Sequence, residues 1–223
     1  MKIELIVNKL KKYKMKQLIS IIAVLTFTLT NAQKKQKFNL HELFQKEKLK
    51  AINRELKAID SLSHHYIQVS EKGNEGIIWL PINNFKTGTI KIEMRGKDIF
   101  QKSFIGIAFH GQDDTTYDAV YCRPFNFLAT DSVRKIHAIQ YVSHPIYTWK
   151  KLRNWRNGIF EKEINNPPNP NGWFTMTLVI KNKTIQAFIN NSKIPSLETQ
   201  KLNDIQIGKL GIFVGDGSGG DFR

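Results

Sequence analysis

The chain has little cysteine, few acidic residues and no apolar run long enough to cross a membrane comfortably. Its one cysteine, Cys122, excludes an intramolecular disulfide and a zinc site built from thiolates. The residues around Cys122 alternate as in a strand, so we expect a small buried hydrophobe rather than a nucleophile. Repeats and low-complexity tracts are also absent. With 223 residues, 41% of them apolar, the chain is expected to contain one globular domain.

The apolar residues near the start form the pattern of a secretory signal peptide. Met15 opens the stretch MKQLISIIAVLTFTLTNAQ, in which basic residues precede an apolar run over residues 18–29. The run is short for a membrane span, and no cysteine follows it to carry a lipid. We interpret residues 1–32 as an extended basic region and signal peptide, beginning at Met1 or Met15, and the protein as secreted or periplasmic. A membrane-anchored amphipathic helix is the alternative.

Basic residues outnumber acidic ones. The sequence holds 34 Lys and Arg against 19 Asp and Glu, a formal charge of +15. Residues 1–32 contain six lysines and one glutamate, so the rest of the chain keeps +10. An acidic polymer is therefore a candidate partner. The lysines are scattered rather than clustered, and nucleic acid is not expected to meet an exported protein.

Two periodicities divide the remaining residues. Apolar side chains at helical spacing follow an Asn39–Glu42 capping box and predict a helix over residues 39–60, within a lead-in of residues 33–62. The period then changes to two, which predicts an all-β, two-sheet antiparallel sandwich of the jelly-roll type over residues 63–223. Nine short runs carry this period: HYIQVS, GIIWLPI, GTIKIEMRG, SFIGIAFHG, TYDAVYCRPF, IHAIQYVSH, WFTMTLVIKN, TIQAFIN and KLGIFVG.

Two segments interrupt the strands. Residues 145–160 are predicted to form a short helix or an ordered loop, and residues 161–172 a Pro/Asn-rich loop that does not pair in a sheet. The first segment carries Trp149 and Trp155 among lysines and arginines. Such side chains either grip an acidic polysaccharide, or pack two rings on the sandwich and leave the charges in water.

The run TTYDAVYCRPFNF places aromatic rings and a guanidinium on one face of a strand. Strand geometry puts Tyr117, Tyr121 and Arg123 on that face, and the alternate residues in the core. Aromatic stripes are often core themselves, but arginine is rarely buried without a partner. The face is therefore a binding groove or a core face whose arginine pairs with Asp118 or Glu163.

A groove at this strand suits a sugar. Gly106 and Ala108 on the preceding run leave room for rings, which stack on the apolar face of a pyranose while polar groups hydrogen-bond its hydroxyls. On a later run Gln140 and Tyr141 alternate, so only one of them points into the groove. The predicted ligand-binding residues are Tyr117, Tyr121, Arg123, Gln140, His144, Trp149 and Trp155.

Two further groups of side chains are candidates for chemistry. His110 and Asp114 in FHGQDD, together with His144, are candidate acid/base groups or metal ligands, with a polar turn as the alternative. Asp216 and Asp221 in GDGSGGD are spaced like the acids of a calcium loop, but the bidentate glutamate of an EF-hand is missing. A glycine-rich turn is the alternative. No cofactor is expected, and Ca²⁺ is the weak candidate.

Three stretches of the chain share a pattern with one known superfamily, namely GTIKIEMRG, FIGIAF and the tail GKLGIFVGDGSGGDFR. They resemble the concanavalin A-like lectin/glucanase superfamily. Within it, they are most similar to the exported bacterial 3-keto-disaccharide hydrolase and laminin G-like domains. The resemblance covers residues 63–223 and implies a sandwich that binds or cleaves carbohydrate. Retaining glucanases of this fold carry Glu-x-Asp-x-Glu, because their chemistry needs two carboxylates about 5 Å apart. That alternation is missing here. The tail also stops at DFR, where such a strand normally continues, which predicts a truncated strand and an open sheet edge.

Three functions are compatible with these observations. We expect an exported carbohydrate-binding module. The first alternative is a glycoside-cleaving enzyme of the same superfamily that uses His110, Asp114 or His144. The second is a structural or adhesive module, whose groove would be filled by its own side chains.

Overall fold

The computed structural model describes residues 35–60 and 65–223, and residues 39–223 form one unit. The signal peptide predicted over residues 1–32 lies outside the described residues. No helix within the two described ranges is long and apolar enough to cross a membrane.

Fourteen strands, three short α-helices and one 3-10 turn (Pro124–Asn126) form the regular structure of the described residues. In chain order the strands are β1 (Lys50–Ile52), β2 (Leu56–Asp60), β3 (His65–Lys72), β4 (Gly76–Trp79), β5 (Gly88–Arg95), β6 (Ile105–Gly111), β7 (Tyr117–Cys122), β8 (Ile139–His144), β9 (Glu161–Lys162), β10 (Trp173–Lys181), β11 (Thr184–Ile189), β12 (Leu197–Gln200), β13 (Lys209–Val214) and β14 (Ser218–Phe222). The helices are α1 (Leu40–Gln45), α2 (Ser132–Lys135) and α3 (Trp149–Arg156).

The strands form two antiparallel sheets of seven. Sheet 1 has the order β1-β4-β13-β6-β7-β8-β9, and sheet 2 the order β12-β11-β10-β5-β14-β3-β2. Apolar side chains from both sheets are buried between them, as two-sheet packing requires. The predicted fold class, an all-β, two-sheet antiparallel sandwich with an N-terminal helix, is confirmed.

The lead-in differs from the prediction, because the helix expected over residues 39–60 ends at Gln45. Asn39 caps α1 as the capping box predicts, accepting a hydrogen bond from the Glu42 N–H at 3.2 Å. Glu47 and Asn53 then adopt positive φ angles of 53° and 54°, which a continuous helix does not allow. The later apolar residues belong to β1, which pairs with β4, and to β2, which pairs with β3.

Each of the nine alternating runs contains a strand, but five further strands were not predicted from the sequence. They are β1, β2, β9, β12 and β14. The prediction that residues 161–172 do not pair is wrong at its start, because β9 pairs with β8. The tail strand β14 lies between β5 and β3 and pairs with both, so the open edge predicted there is not seen.

The two faces of sheet 1 have different neighbours. Ile105 faces sheet 2, since a Cβ added at Gly220 of β14 would lie 3.0 Å from its side chain. Cys122 pairs with Ile105 and is fully buried on the same side, as expected for a small hydrophobe, and this burial raises the pKa of its thiol. Alternate residues therefore face away from sheet 2. One cross-strand row on that outer face joins five neighbouring strands: Phe213, Gly106, Tyr121, Gln140 and Glu161.

Candidate ligand-binding cleft

A cleft of about 400 Å³ opens on the outer face of sheet 1, above the cross-strand row. Its aromatic lining comes from β7 and β13, from the segments that precede β6 and follow β7, and from α3: Phe100, Phe104, Tyr121, Phe125, Trp149 and Phe213. Its charged lining residues are Glu75, Arg123, Arg134, Arg153 and Asp216. Rings beside fixed polar groups are the usual composition of a small-molecule site.

The floor of the cleft is a hydrogen-bonded network around Arg123. Its Nη2 donates to the Tyr121 hydroxyl at 2.8 Å and also to Oε1 of Gln140, while Nη1 donates to the His137 carbonyl at 2.8 Å. The guanidinium carbon lies 4.9 Å from the Tyr121 ring centre. Burial raises the pKa of Tyr121 to about 12, so its hydroxyl stays protonated and donates to Gln140 at 3.1 Å. Gln140, not its neighbour Tyr141, therefore faces the cleft side.

A buried carboxylate lies behind this floor. Glu161 accepts from Arg153 at 2.9 and 2.7 Å, and its Oε2 lies 2.8 Å from Nδ1 of His137 and 3.9 Å from Nη1 of Arg123. Three cationic or titratable side chains thus share one carboxylate that is only 2% exposed. The negative charge is largely neutralised before any ligand arrives.

The prediction that a buried Arg123 would pair with Asp118 or Glu163 was wrong. Asp118 lies on the inner face of sheet 1, where Lys201 approaches it at 3.2 Å and the Tyr141 hydroxyl donates to it at 2.6 Å. Glu163 instead pairs with Lys135 at the surface, at 3.8 Å. The physical reason is the alternation of side chains along β7, which sends Asp118 and Arg123 to opposite faces.

Helix α3 supplies one wall of the cleft. Thr148 caps it, Leu152 is buried and fixes its orientation, and Trp149 and Arg153, one turn apart, both line the cleft. The Arg153 guanidinium lies 5.1 Å from the Trp149 ring centre. Trp155 is on another side of the helix, stacked on Phe160 at 6.1 Å, and does not line the cleft.

Tyr117 and His144 form a second buried pair beside the cleft. Their rings stack at 5.0 Å, and the Tyr117 hydroxyl donates to Oε2 of Glu75 at 2.9 Å. Nε2 of His144 lies 3.5 Å from the same oxygen. Burial raises the pKa of Tyr117 and lowers that of His144. Neither ring lines the cleft, but their shared partner Glu75 does.

The acid/base candidates are not brought together. Nε2 of His110 lies 2.7 Å from the Lys86 carbonyl, and burial lowers the pKa of this histidine. Asp114 accepts from Nε1 of Trp79 at 2.8 Å and from Lys50 at 3.2 Å. Each of the candidates His110, Asp114 and His144 has its own partners, and none lines the cleft.

The two acids of the glycine-rich tail also have separate partners. Asp216 lines the cleft and accepts from the Asn74 N–H at 2.6 Å. Asp221 forms an ion pair with Arg95 in sheet 2 at 2.7 Å. The structure therefore does not join them in one calcium loop.

Several cleft residues were missed by the sequence reasoning, namely Glu75, Phe100, Phe104, Arg134 and Phe213. Phe104 had a usable signal, because it lies two residues before Gly106 and so on the same face of the extended chain. Glu75, Phe100 and Arg134 lie outside strands, where alternation carries no information.

Comparison with known proteins gives similarity in structure only. No protein family model and no curated protein matches the chain. The structure is similar to a carbohydrate-binding module, CBM66 from Bacillus subtilis, with a TM-score of 0.53 and 12% identity over 79% of this chain and 92% of that one. The chain shares the two-sheet β-sandwich fold of that module. A Bacillus subtilis protein of unknown function with a galectin-like fold is also similar, with a TM-score of 0.51 and 11% identity over 79% and 87%. The predicted resemblance is thus confirmed for the sandwich fold, whereas the nearer relation to 3-keto-disaccharide hydrolase or laminin G-like domains stays a prediction.

Proposed function

We propose that this protein is an exported module that binds carbohydrate in the cleft on sheet 1. The observation that carries the proposal is the Trp149 ring, 44% exposed, beside a floor in which Arg123 donates a hydrogen bond to Tyr121 and both are hydrogen-bonded to Gln140. An exposed ring stacks on the apolar face of a sugar, and fixed polar groups hydrogen-bond its hydroxyls. The fold shared with a carbohydrate-binding module supports the same reading.

The dimensions of the cleft favour a short saccharide. A volume of about 400 Å³ lies in the range of about 300–1,000 Å³ that is common for small-ligand pockets. The floor is preorganised, because Arg123 and Gln140 are buried and already hydrogen-bonded to each other. A bound sugar then loses little free energy to the ordering of protein side chains.

The charges favour a neutral sugar over an acidic polysaccharide. Arg123 and Arg153 both face Glu161, and the carboxylates of Glu75 and Asp216 line the same cleft. The cleft therefore presents little excess positive charge. An acidic polymer would instead have to follow the basic outer side of α3, where Lys150 and Lys151 lie near Trp155.

A glycan panel tests the proposal when retention and products are both read by mass spectrometry. We expect retention of a neutral oligosaccharide without new products, and Trp149→Ala should weaken it by roughly tenfold through the loss of one stacking ring. Trp155→Ala is the matched control, since this ring is 55% exposed yet outside the cleft, and its affinity should stay unchanged. Equal affinity losses in both variants, or no retention at all, would contradict the proposal. New products would favour the glycoside-cleaving alternative.

A further inference from the structure

Three metal-binding side chains converge away from the cleft, where α1 packs on β2 and β3 in sheet 2. Asp60 ends β2 and His65 begins β3, and the two residues are direct cross-strand partners. His41, in the first turn of α1, reaches the same point from the helix. Nε2 of His41 lies 2.9 Å from Oδ1 of Asp60, and Nδ1 of His65 lies 2.6 Å from that same oxygen.

Two imidazoles and one carboxylate at this spacing are suitable ligands for a divalent metal ion of intermediate softness, such as Zn²⁺. Their ligand atoms all lie within 4.8 Å of one another. In a tetrahedral site with bonds of about 2.0–2.1 Å, ligand atoms are about 3.3 Å apart. The two His–Asp60 separations of 2.9 and 2.6 Å are shorter than this, and the separation of the two imidazole nitrogens is at most 4.8 Å, so rotation of the side chains has to shift ligand atoms by no more than about 1.5 Å.

The accessibility of the three side chains fits an exchangeable metal site. Asp60 and His65 are 58% and 64% exposed, so an ion can reach the cluster from water on their side, whereas Nε2 of His41 is buried and would close the inner side of the site. The backbones under them are fixed by the β2–β3 pairing and by burial of Leu40 beneath α1. Such a frame holds ligands in place before the metal binds.

We propose that His41, Asp60 and His65 bind one divalent transition-metal ion, with Zn²⁺ as the expected ion, and so fasten α1 to sheet 2. Imidazole and carboxylate ligands together suit Zn²⁺, and water completes the coordination. The site is independent of the proposed carbohydrate site, which lies on sheet 1. His64 precedes His65 but lies outside the described residues.

Titration of the untagged full chain with Zn²⁺ tests this site. We expect one ion per chain by calorimetry, and a Co²⁺ complex with visible absorption that Zn²⁺ displaces. His65→Ala and Asp60→Asn should each weaken Zn²⁺ binding by at least about tenfold. Zn²⁺ should raise the melting temperature of the wild type but not that of His65→Ala.

The matched control is His144→Ala, which removes another imidazole that lies near a carboxylate, Glu75 at 3.5 Å. Its Zn²⁺ affinity should equal that of the wild type. The proposal is overturned if the wild type binds no Zn²⁺, because the cluster is then only an ion-paired triad. It is overturned equally if His65→Ala, shown to be folded by circular dichroism, binds Zn²⁺ as tightly as the wild type.

Discussion

The Glu161 carboxylate accepts two hydrogen bonds from the Arg153 guanidinium, at 2.9 Å from Nε and 2.7 Å from Nη2. This contact joins β9, at the edge of sheet 1, to α3, which carries Trp149. Paired, planar hydrogen bonds of this kind restrict orientation as well as distance. The position of the Trp149 wall over the cleft therefore depends on a residue that no ligand needs to touch.

Glu161→Ala should lower the free energy of unfolding by about 3–5 kcal/mol, because it leaves Arg123 and His137 buried without their carboxylate. Urea unfolding measures the change. Glu163→Ala is the matched control, since Glu163 pairs with Lys135 where both side chains are about half exposed, and it should cost less than about 1 kcal/mol. Similar losses in the two variants would show that the buried network contributes nothing special.

Gly106→Ala should destabilise the protein because the strands approach too closely for a side chain. A Cβ at Gly106 would lie 2.1 Å from the Val120 carbonyl oxygen and 2.7 Å from Cβ of Tyr121. We expect a loss of about 1–3 kcal/mol or more in thermal or urea unfolding. At Gly73 the nearest atom is 4.0 Å from an added Cβ, so Gly73→Ala should change stability by less than about 0.5 kcal/mol. A tolerated Gly106→Ala would refute the close approach of β6 and β7.

Most strands could be predicted because alternation is a local property. In β10, for example, the alternate residues Phe174, Met176 and Leu178 are all buried. Their period of two can be recognised in the sequence of this strand alone, without knowledge of the strands that pair with it. β1 and β2 escaped because Ile52, Leu56 and Ile59 also fit helical spacing. Pairing with β4 and β3 decided between the two, and such pairing leaves no local trace.

The site was predictable only where side chains share one strand. Tyr121 and Arg123 are two residues apart, so alternation places them together on the cleft side. Their partner Glu161 was hidden, because it meets them through the pairing of β8 with β9 across an intervening helix. For Trp155 a signal existed: six residues separate it from Trp149, which on a helix places the two rings on different sides. This signal could be used only if residues 145–160 were predicted to be helical, and the sequence was equally compatible with a loop there.

The free energy of unfolding should fall as pH is lowered from about 7 to 5.5, and His110 should carry part of this change. Burial holds the pKa of His110 below its ordinary value of 6.5. The unfolded chain therefore binds a proton below about pH 6.5 while the native chain resists it, so the stability present at neutral pH is lost as pH falls. Burial lowers the pKa of His137 and His144 also, and these add to the slope with the same sign.

His110→Asn isolates the contribution of this side chain, because asparagine tolerates the positive φ of 52° found there. Urea unfolding at several pH values should give a slope smaller than in the wild type, by up to about 1.4 kcal/mol per pH unit. The groups that surround the imidazole, the Lys86 carbonyl, Asp118 and Lys201, are retained in the variant. An unchanged slope would mean that His110 titrates alike in both states.

Ligand binding should depend little on salt if the cleft takes a neutral sugar. Opposite charges at Arg153 and Glu161 are paired within the protein, so the field reaching a ligand is small. We expect the dissociation constant of a retained neutral oligosaccharide, measured by calorimetry, to change by less than about twofold between 50 and 500 mM NaCl. Ion pairing to a polyanion, by contrast, is screened strongly over this range.

The double variant Lys150→Gln and Lys151→Gln distinguishes binding in the cleft from binding along α3, because both lysines lie outside the cleft. Unchanged affinity in that variant supports the neutral ligand. A steep salt dependence that the double variant abolishes would instead place an acidic polysaccharide on the outer side of α3.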